Sequence, residues 1–336
     1  MVYFRIEFGL GDGKKTKASW KSSTSGLDFV HREVAKAREL GKYKTASNYL
    51  TAARSFTRFS DSDDWCFSEM TAETLENYQR WLQEHNICPN TISAYIRALR
   101  VMYHRACQQE DTEPDDHIFD KVYTGRAKTV KRSISQEDIR QLLALQLPSG
   151  SSLAFARDIF IFSFYAMGMP FIDIAYLKKE QVKSDCILYA RHKTGQRVKV
   201  ALLPAMIEIM QQYHHEDSEY VFPILKEKSA TVTPSTSSSR DSLHRLYLHR
   251  LYLLRLRQYN YSLNRLSELL GSTFHLSSYV VRHSWASIAY QHHLDIGMIG
   301  KALGHTKPST TLLYIKSLED PDLGIANHAL MEELDL

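Results

Sequence analysis

With 336 residues, 43% of them hydrophobic and 24% charged, the chain has an ordinary globular composition and the length for two domains rather than one small module. Its 42 Lys and Arg exceed its 38 Asp and Glu by a formal +4, so the global charge permits a nucleic-acid partner without demanding one, and any basic surface has to be local. Cys66, Cys88, Cys107 and Cys186 lie far apart with no CxxC pair, which argues against a disulfide framework or a cysteine zinc site. No apolar signal core follows Met1 and no apolar run has membrane-span length, so a soluble cytoplasmic protein is expected.

Residues 1–25 show little apolar periodicity and read as an N-terminal extension, with Gly-Asp-Gly at 11–13, lysines at 14, 15 and 17, and a Ser/Thr cluster at 22–25. A helical domain is expected over 26–108. Ala46, Tyr49, Leu50, Ala53 and Phe56 recur at helical spacing, as do Leu75, Tyr78 and Leu82. Pro89-Asn90-Thr91 supplies a helix start with Asn90 as its cap, and Ile92, Ile96, Leu99 and Tyr103 follow on one face. Residues 109–132 open acidic (Glu110, Asp111, Glu113, Asp115, Asp116) and close basic (Arg126, Lys128, Lys131, Arg132). This pattern suits a linker whose basic half either touches phosphate or is simply solvated.

The second domain is expected over 133–336, opened by a capping box at Ser135-Gln-Glu-Asp138. A strongly apolar helix runs from Leu153 to Tyr165. Two β-prone runs, from Cys186 and from Val198, flank the turn Lys193-Thr-Gly-Gln196 and predict a hairpin. Ala230–Ser239 reads as a Ser/Thr-rich loop. Leu243–Leu270 reads as helix and carries His-Arg-Leu-Tyr-Leu twice in tandem (244–248 and 249–253), too few copies for a solenoid. Helices follow from Ser277 and Asp295, the second ending at Gly304. The fold class is therefore mainly α: a helical domain, then a mostly helical domain with one small antiparallel hairpin sheet.

The stretch Leu303-Gly-His-Thr-Lys-Pro-Ser-Thr-Thr-Leu-Leu-Tyr314 holds a histidine, a small polar turn, paired threonines and a tyrosine nine positions after His305. Upstream, Ser277-Ser-Tyr-Val-Val-Arg282-His-Ser-Trp sets an arginine in an otherwise apolar helix. Together these pieces resemble the boxes of the tyrosine recombinase (phage integrase) family: an arginine in a His-x-x-Arg motif, then Leu-Gly-His, then the nucleophilic tyrosine. Lys193-Thr-Gly is similar to the family's β-turn lysine, and residues 27–107 look like its core-binding domain. The resemblance spans residues 27–320 and is most specific at Leu-Gly-His…Tyr.

The resemblance implies a site-specific recombinase that cuts and rejoins duplex DNA through a 3′-phosphotyrosyl intermediate, in integration, excision or inversion. It implies a two-domain clamp on DNA and a homotetramer synapsing two recombination sites of a mobile element, with accessory DNA-bending proteins as possible partners. Tyr314 is then the nucleophile, and Arg282 and His305 are donors to the phosphate. Lys193 is the general acid on the departing 5′ oxygen. The residue types suit the chemistry. A phenol, with an ordinary pKa of about 10, needs activation or a positive field, and a planar guanidinium suits charge growing on non-bridging oxygens. A phosphotyrosyl bond stores the energy of the broken linkage, so no cofactor and no metal is expected. Neither a P-loop nor a carboxylate cluster for magnesium is present.

Two positions depart from the family pattern. Pro170, in Gly168-Met-Pro170-Phe-Ile-Asp173, stands where the first catalytic arginine belongs, and Tyr279 stands at the first position of His-x-x-Arg, with His283 just after the arginine. Arg191 is the first candidate substitute for the missing arginine. It lies two residues before Lys193, so a strand running regularly to there sends both side chains out of one face. Arg157 is the second. An inactive, recombinase-derived DNA-binding protein and a type IB topoisomerase are the alternatives.

Thr91, Arg97 and Arg100, with His104, are candidate DNA contacts in the first domain. Residues 240–265 hold six arginines that rotate around a helix rather than forming one stripe. The pairs His214-His215 and His292-His293 lack partners at metal-ligand spacing. Asp173 and Trp285 read as structural, and residues 325–336 as a terminal helix that docks on a neighbouring protomer.

Overall fold

Apolar spacing builds the first unit of the computed structural model, which describes residues 25–129, 133–226, 238–271, 275–315 and 331–332. Its four helices are α1 (Gly26–Glu39), α2 (Tyr43–Ser60), α3 (Ala72–Glu84) and α4 (Pro89–Gln109). The expected stripes point inward: Ala46, Ala53 and Phe56 from α2, Leu75, Tyr78 and Leu82 from α3, and Ile92, Ile96, Leu99 and Tyr103 from α4 are all buried. Aromatic edges lock these faces together. Phe56 meets Trp65 at 4.9 Å and Tyr78 at 5.1 Å between ring centroids, both edge-on.

Two expectations for this unit change. Asn90 is not the cap of α4: Cys88 is, with Pro89 in the first turn, because proline's fixed φ suits the first helical position. The Asn90 side chain instead brackets the backbone of Ala127, donating from Nδ2 to its carbonyl (3.1 Å) and accepting its amide on Oδ1 (2.9 Å). The segment expected as a linker is largely part of this unit, which extends to Lys128. Phe119 and Val122 are buried in its core, Ser93 Oγ donates to the Gly125 carbonyl, and Gln79 Oε1 accepts the Tyr123 amide. The change from acidic to basic, read as a linker, concealed these two apolar anchors.

The second unit, Thr129–Leu336, begins with α5 (Gln136–Ala144), where the expected capping box forms: Ser135 Oγ accepts the Asp138 amide and Asp138 Oδ2 accepts the Ser135 amide. Helix α6 (Ser152–Tyr165) buries Ile159, Phe160, Ile161 and Phe162 and is the hub of the unit. The chain then enters α7 (Phe171–Ala175) and the hairpin of β1 (Cys186–Ala190) with β2 (Arg197–Ala201). The two strands pair antiparallel with Leu188 opposite Lys199; Ile187, Tyr189, Val198 and Val200 face the core. Helices α8 (Pro204–Gln212), α9 (Ser238–Leu269), α10 (Val280–Gln291), α11 (Ile296–Ala302) and α12 (Pro308–Leu312) complete it. Helices α5, α8, α9 and α10 all pack on α6.

The tandem pentapeptides lie within the single helix α9. Three of its arginines are engaged locally: Arg245 Nη2 donates to Ser242 Oγ, Arg255 Nε donates to the Ile224 carbonyl and Arg265 pairs with Glu268. The N-terminal extension up to residue 24, most of the Ser/Thr-rich loop and most of the expected terminal helix lie outside the described residues. No described helix is long and apolar enough to cross a membrane.

The capping box gives a direct check on this unit. Ser135→Ala removes the acceptor for the Asp138 amide and should lower stability by about 1 kcal/mol in urea unfolding of the whole chain; an unchanged midpoint would show that the box contributes nothing.

Candidate active site

Strand alternation delivers the first cation. Residues 187 and 189 of β1 point inward, and so does Arg191, whose amide still pairs with the Gln196 carbonyl (2.8 Å) one step past the strand. Arg191 is 7% exposed. Its Nε donates to Asp173 Oδ2 at 2.9 Å and its Nη1 donates to the Leu303 carbonyl. Asp173 Oδ1 accepts the His192 amide at 2.8 Å. Burial pushes the Asp173 carboxyl upward, against Arg191 and that amide, which favour its charged form.

Helix α10 delivers the second cation. Arg282 is 1% exposed, and its Nη1 donates to the Gly168 carbonyl at 2.9 Å. Its Nη2 donates to the Leu303 carbonyl, the same oxygen that Arg191 uses, and lies 3.3 Å from His305 Nε2. Its Nε is a buried donor with no partner among the described residues. Burial, and then the neighbouring charge of Arg191, lower the Arg282 pKa.

This convergence depends on two glycines in the left-handed region. Gly168 has φ of +69°, and a Cβ there would stand 3.0 Å from Arg282 Cα. Gly304 has φ of +63°, and a Cβ there would stand 3.1 Å from Arg191 Cγ.

His305 follows Gly304. Its Nδ1 lies 3.1 Å from Thr311 Oγ1, which belongs to a fully buried residue of α12. Burial first, then the charges of Arg282, Arg191 and Lys193, push the His305 pKa down to about 4. The imidazole is therefore neutral at physiological pH. With Nε2 accepting from Arg282, the proton is assigned to Nδ1, which donates to Thr311. Tyr314 stands just past α12. Its ring is 4.9 Å from that of His305 and stacks on His283 at 4.6 Å and 22°, and the Arg282 guanidinium carbon lies 5.5 Å from its centroid. Its hydroxyl is 2.5 Å from the hydroxyl of Tyr279, and His283 Nδ1 and Ser287 Oγ both approach its carbonyl at 3.3 Å.

Of the expected site residues, Tyr314, Arg282, His305 and Arg191 therefore come together. Lys193 is exposed on the hairpin turn, near enough for its charge to act on His305. The argument that Arg191 and Lys193 share a strand face does not hold: β1 ends at Ala190 and the chain turns at 192–194, so Arg191 is buried and Lys193 is not. Arg157 is elsewhere, tied to Asp158 (2.8 Å) and the Leu145 carbonyl (2.6 Å). Pro170 caps α7. Trp285 packs on a small cluster with Ala289, Ile299 and Leu303. Sequence reasoning missed the Leu303 carbonyl and Thr311, and read Asp173 as structural without its arginine.

In the first unit, Arg100 and His104 both bind Asp116 Oδ1 at 2.8 Å, and Thr91 Oγ1 lies 3.1 Å from Cys88 Sγ. Arg97 is exposed, with no carboxylate in ion-pair range among the described residues. No cluster of three metal-ligating side chains occurs among the described residues.

Comparison with known proteins gives concordant matches. A model described as the phage integrase SAM-like domain matches residues 26–120, and one described as the phage integrase family matches residues 132–320. The tyrosine recombinase XerD of Rhizobium meliloti (strain 1021) is 25% identical over 300 residues, covering 84% of this chain and 88% of that protein. XerA of Thermococcus onnurineus (strain NA1) is 22% identical over 256 residues, covering 74% and 78%. Among solved structures, the integrase of transposon Tn1549 in complex with transposon right-end DNA shares the fold with a TM-score of 0.59 at 10% identity, over 93% of this chain and 100% of that one. A lambda integrase dimer bound to a COC′ core site does so at 0.58 and 13%, over 89% and 97%.

The His305 shift has a measurable consequence. Its pKa falls from an ordinary 6.5 to about 4 on folding, so between those values the unfolded chain binds the extra proton. The contribution of the neutral imidazole is fully present above 6.5 and is lost as pH falls toward 4. Urea unfolding of the wild type should therefore lose more stability over that window than His305→Gln does, and parallel pH curves for the two proteins would refute the shift.

Proposed function

The chain belongs to the phage integrase family, tyrosine recombinases that transfer DNA strands site-specifically, and we propose that it does so with Tyr314 as nucleophile and Arg282, Arg191 and His305 as the phosphate-binding groups. The observation that carries this assignment is the meeting of two guanidinia at one carbonyl oxygen beside the Tyr314 ring. The unpartnered Arg282 Nε supports it further: a buried donor without an acceptor costs about 1–3 kcal/mol and calls for an explanation. A phosphate oxygen supplies the acceptor.

Attack by the Tyr314 oxygen on phosphorus makes the 3′-phosphotyrosyl ester and expels the 5′ oxygen, which Lys193 protonates from its exposed turn. The charge growing on the non-bridging oxygens is met by Arg282 and Arg191, whose donors are held in place before the reaction starts. A neutral His305 carrying its proton on Nδ1 accepts from Arg282 and so orients it; the opposite tautomer donates to phosphate. Arg191, fixed by Asp173, takes the place left by Pro170. That arrangement weakens the case for an inactive descendant, whose main support was the proline. Nothing in the site favours a topoisomerase.

The partner is duplex DNA carrying recombination sites. Arg97 is the candidate phosphate contact on α4, with Thr91 beside it, while Arg100 has first to leave Asp116. Four protomers synapse two sites, with accessory DNA-bending proteins where the element needs them, in integration, excision or inversion of a mobile element. Light scattering on full-site DNA should give four protomers per two duplexes, and assembly that stops at two protomers on one duplex would remove the tetramer.

The chemical assignment is checked by covalent capture. The wild type should form a denaturation-resistant adduct with DNA that Tyr314→Phe lacks. Arg191→Lys keeps a charge for Asp173 but cannot also serve the Leu303 carbonyl through a planar fork. It should fold, bind DNA and cleave roughly a hundredfold more slowly or worse, the scale of losing one fixed oxyanion donor. Wild-type cleavage by Arg191→Lys would return the first-arginine role to an unidentified residue.

A further inference from the structure

We propose that the hydroxyl of Tyr279 is a catalytic hydrogen-bond donor to the attacking oxygen of Tyr314, an assignment that rests on the reading of Tyr314 as nucleophile. The two hydroxyl oxygens are 2.5 Å apart, the short end of the range for O–H···O contacts and typical of those that carry charge. Tyr279 caps the N-terminus of α10, three residues before Arg282, so the helix that buries the arginine also aims this hydroxyl. Tyr279 keeps 48% of its surface exposed, but its hydroxyl is turned inward to Tyr314. Its ring is 5.4 Å from that of His283, which in turn stacks on Tyr314. The nucleophile is thus gripped on its face by an imidazole and at its oxygen by a hydroxyl.

Either hydroxyl can donate while both are protonated. Once Tyr314 has given up its proton, only Tyr279 can. Burial, and then the hydrogen bond it donates to Tyr314, push the Tyr279 pKa up to about 12, so it stays protonated while its partner reacts. The groups facing the pair are Arg282 and His283 on α10, Arg191 at the end of β1 and His305 before α12. The two guanidinia favour negative charge on Tyr279, against burial, and His305 is neutral.

The step balances without an added reactant. The Tyr314 proton leaves to water, the phenolate oxygen bonds to phosphorus, and the bond from phosphorus to the 5′ oxygen breaks with its electron pair. Lys193 gives that oxygen a proton. Tyr279 neither gains nor loses one; its hydrogen bond is strongest while charge sits on the Tyr314 oxygen, on the way in and on the way back.

The test uses the full chain with a nicked duplex that the wild type captures covalently from a randomised pool. Single-turnover cleavage and rejoining are then followed from neutral to alkaline pH. Tyr279→Phe, which keeps the ring, should lower both rates by roughly tenfold or more at neutral pH, the worth of a hydrogen bond to a charged group. The deficit should shrink as rising pH restores the phenolate. A substrate with sulphur in place of the 5′-bridging oxygen, whose leaving group needs no proton, should rescue Lys193→Ala and leave Tyr279→Phe slow. The proposal is overturned if Tyr279→Phe matches the wild type, if its deficit is the same at every pH, as a packing defect would give, or if the sulphur substrate rescues it. Capture that is intact in the wild type and lost in Tyr314→Phe upholds the nucleophile independently of all three. Absence of any wild-type adduct takes down both readings.

Discussion

Two like charges sharing one oxygen is the constraint on which this site is built. Arg191 and Arg282 both donate to the Leu303 carbonyl, and like charges so close repel strongly where water is excluded. The arrangement holds because Asp173 neutralises one of them from behind and the carbonyls of Gly168 and Leu303 each accept from a terminal nitrogen of the other. What remains is a concentrated positive field with a spare buried donor, Arg282 Nε. The architecture serves this point. β1 ends one residue short of Arg191, α10 buries Arg282, and Gly168 and Gly304 leave out the side-chain atoms that would hold the guanidinia apart.

Burial, with the same field added to it, explains why His305 is neutral. Three cations act on a buried ring, so the proton that an isolated imidazole would accept in mildly acidic water is refused until about pH 4. The histidine is therefore not a further positive charge. It is a dipole whose orientation Thr311 fixes from α12, which ties the placement of Tyr314, two residues past that helix, to the placement of Arg282. Sequence spacing between Leu-Gly-His and the tyrosine thus reflects a physical linkage: residues 305, 311 and 314 are the two ends and the buried middle of one short connection.

Much of this was legible in the sequence, and the reasons differ by residue. The helices of the first unit follow from apolar spacing, and the second begins at a capping box that the bare tetrapeptide announces. The hairpin follows from two β-prone runs about a glycine turn. Arg191 was reached by elimination, since a proline cannot hold a phosphate, although the strand argument that set it on one face with Lys193 fails where the chain turns at 192–194. Illegible were the contacts made across long sequence separations. Asp116 engages Arg100 and His104 from outside α4. Phe119 and Val122 fold an apparently solvated stretch back onto a core, and Leu303 contributes a backbone oxygen, a group with no side-chain signature.

The pairing of Tyr279 with Tyr314 belongs to that last class and shows how a departure from a motif can be read. A histidine at position 279 would add a titratable group to a site that already holds two arginines, and the field that discharges His305 would act on it as well. A phenol avoids this. Its charged form is an anion, which those arginines favour and burial opposes; burial prevails, and Tyr279 stays a neutral donor to about pH 12. In a pocket where Arg191 arrives from the hairpin to meet Arg282 at one carbonyl, a donor that never becomes positive is compatible with both guanidinia.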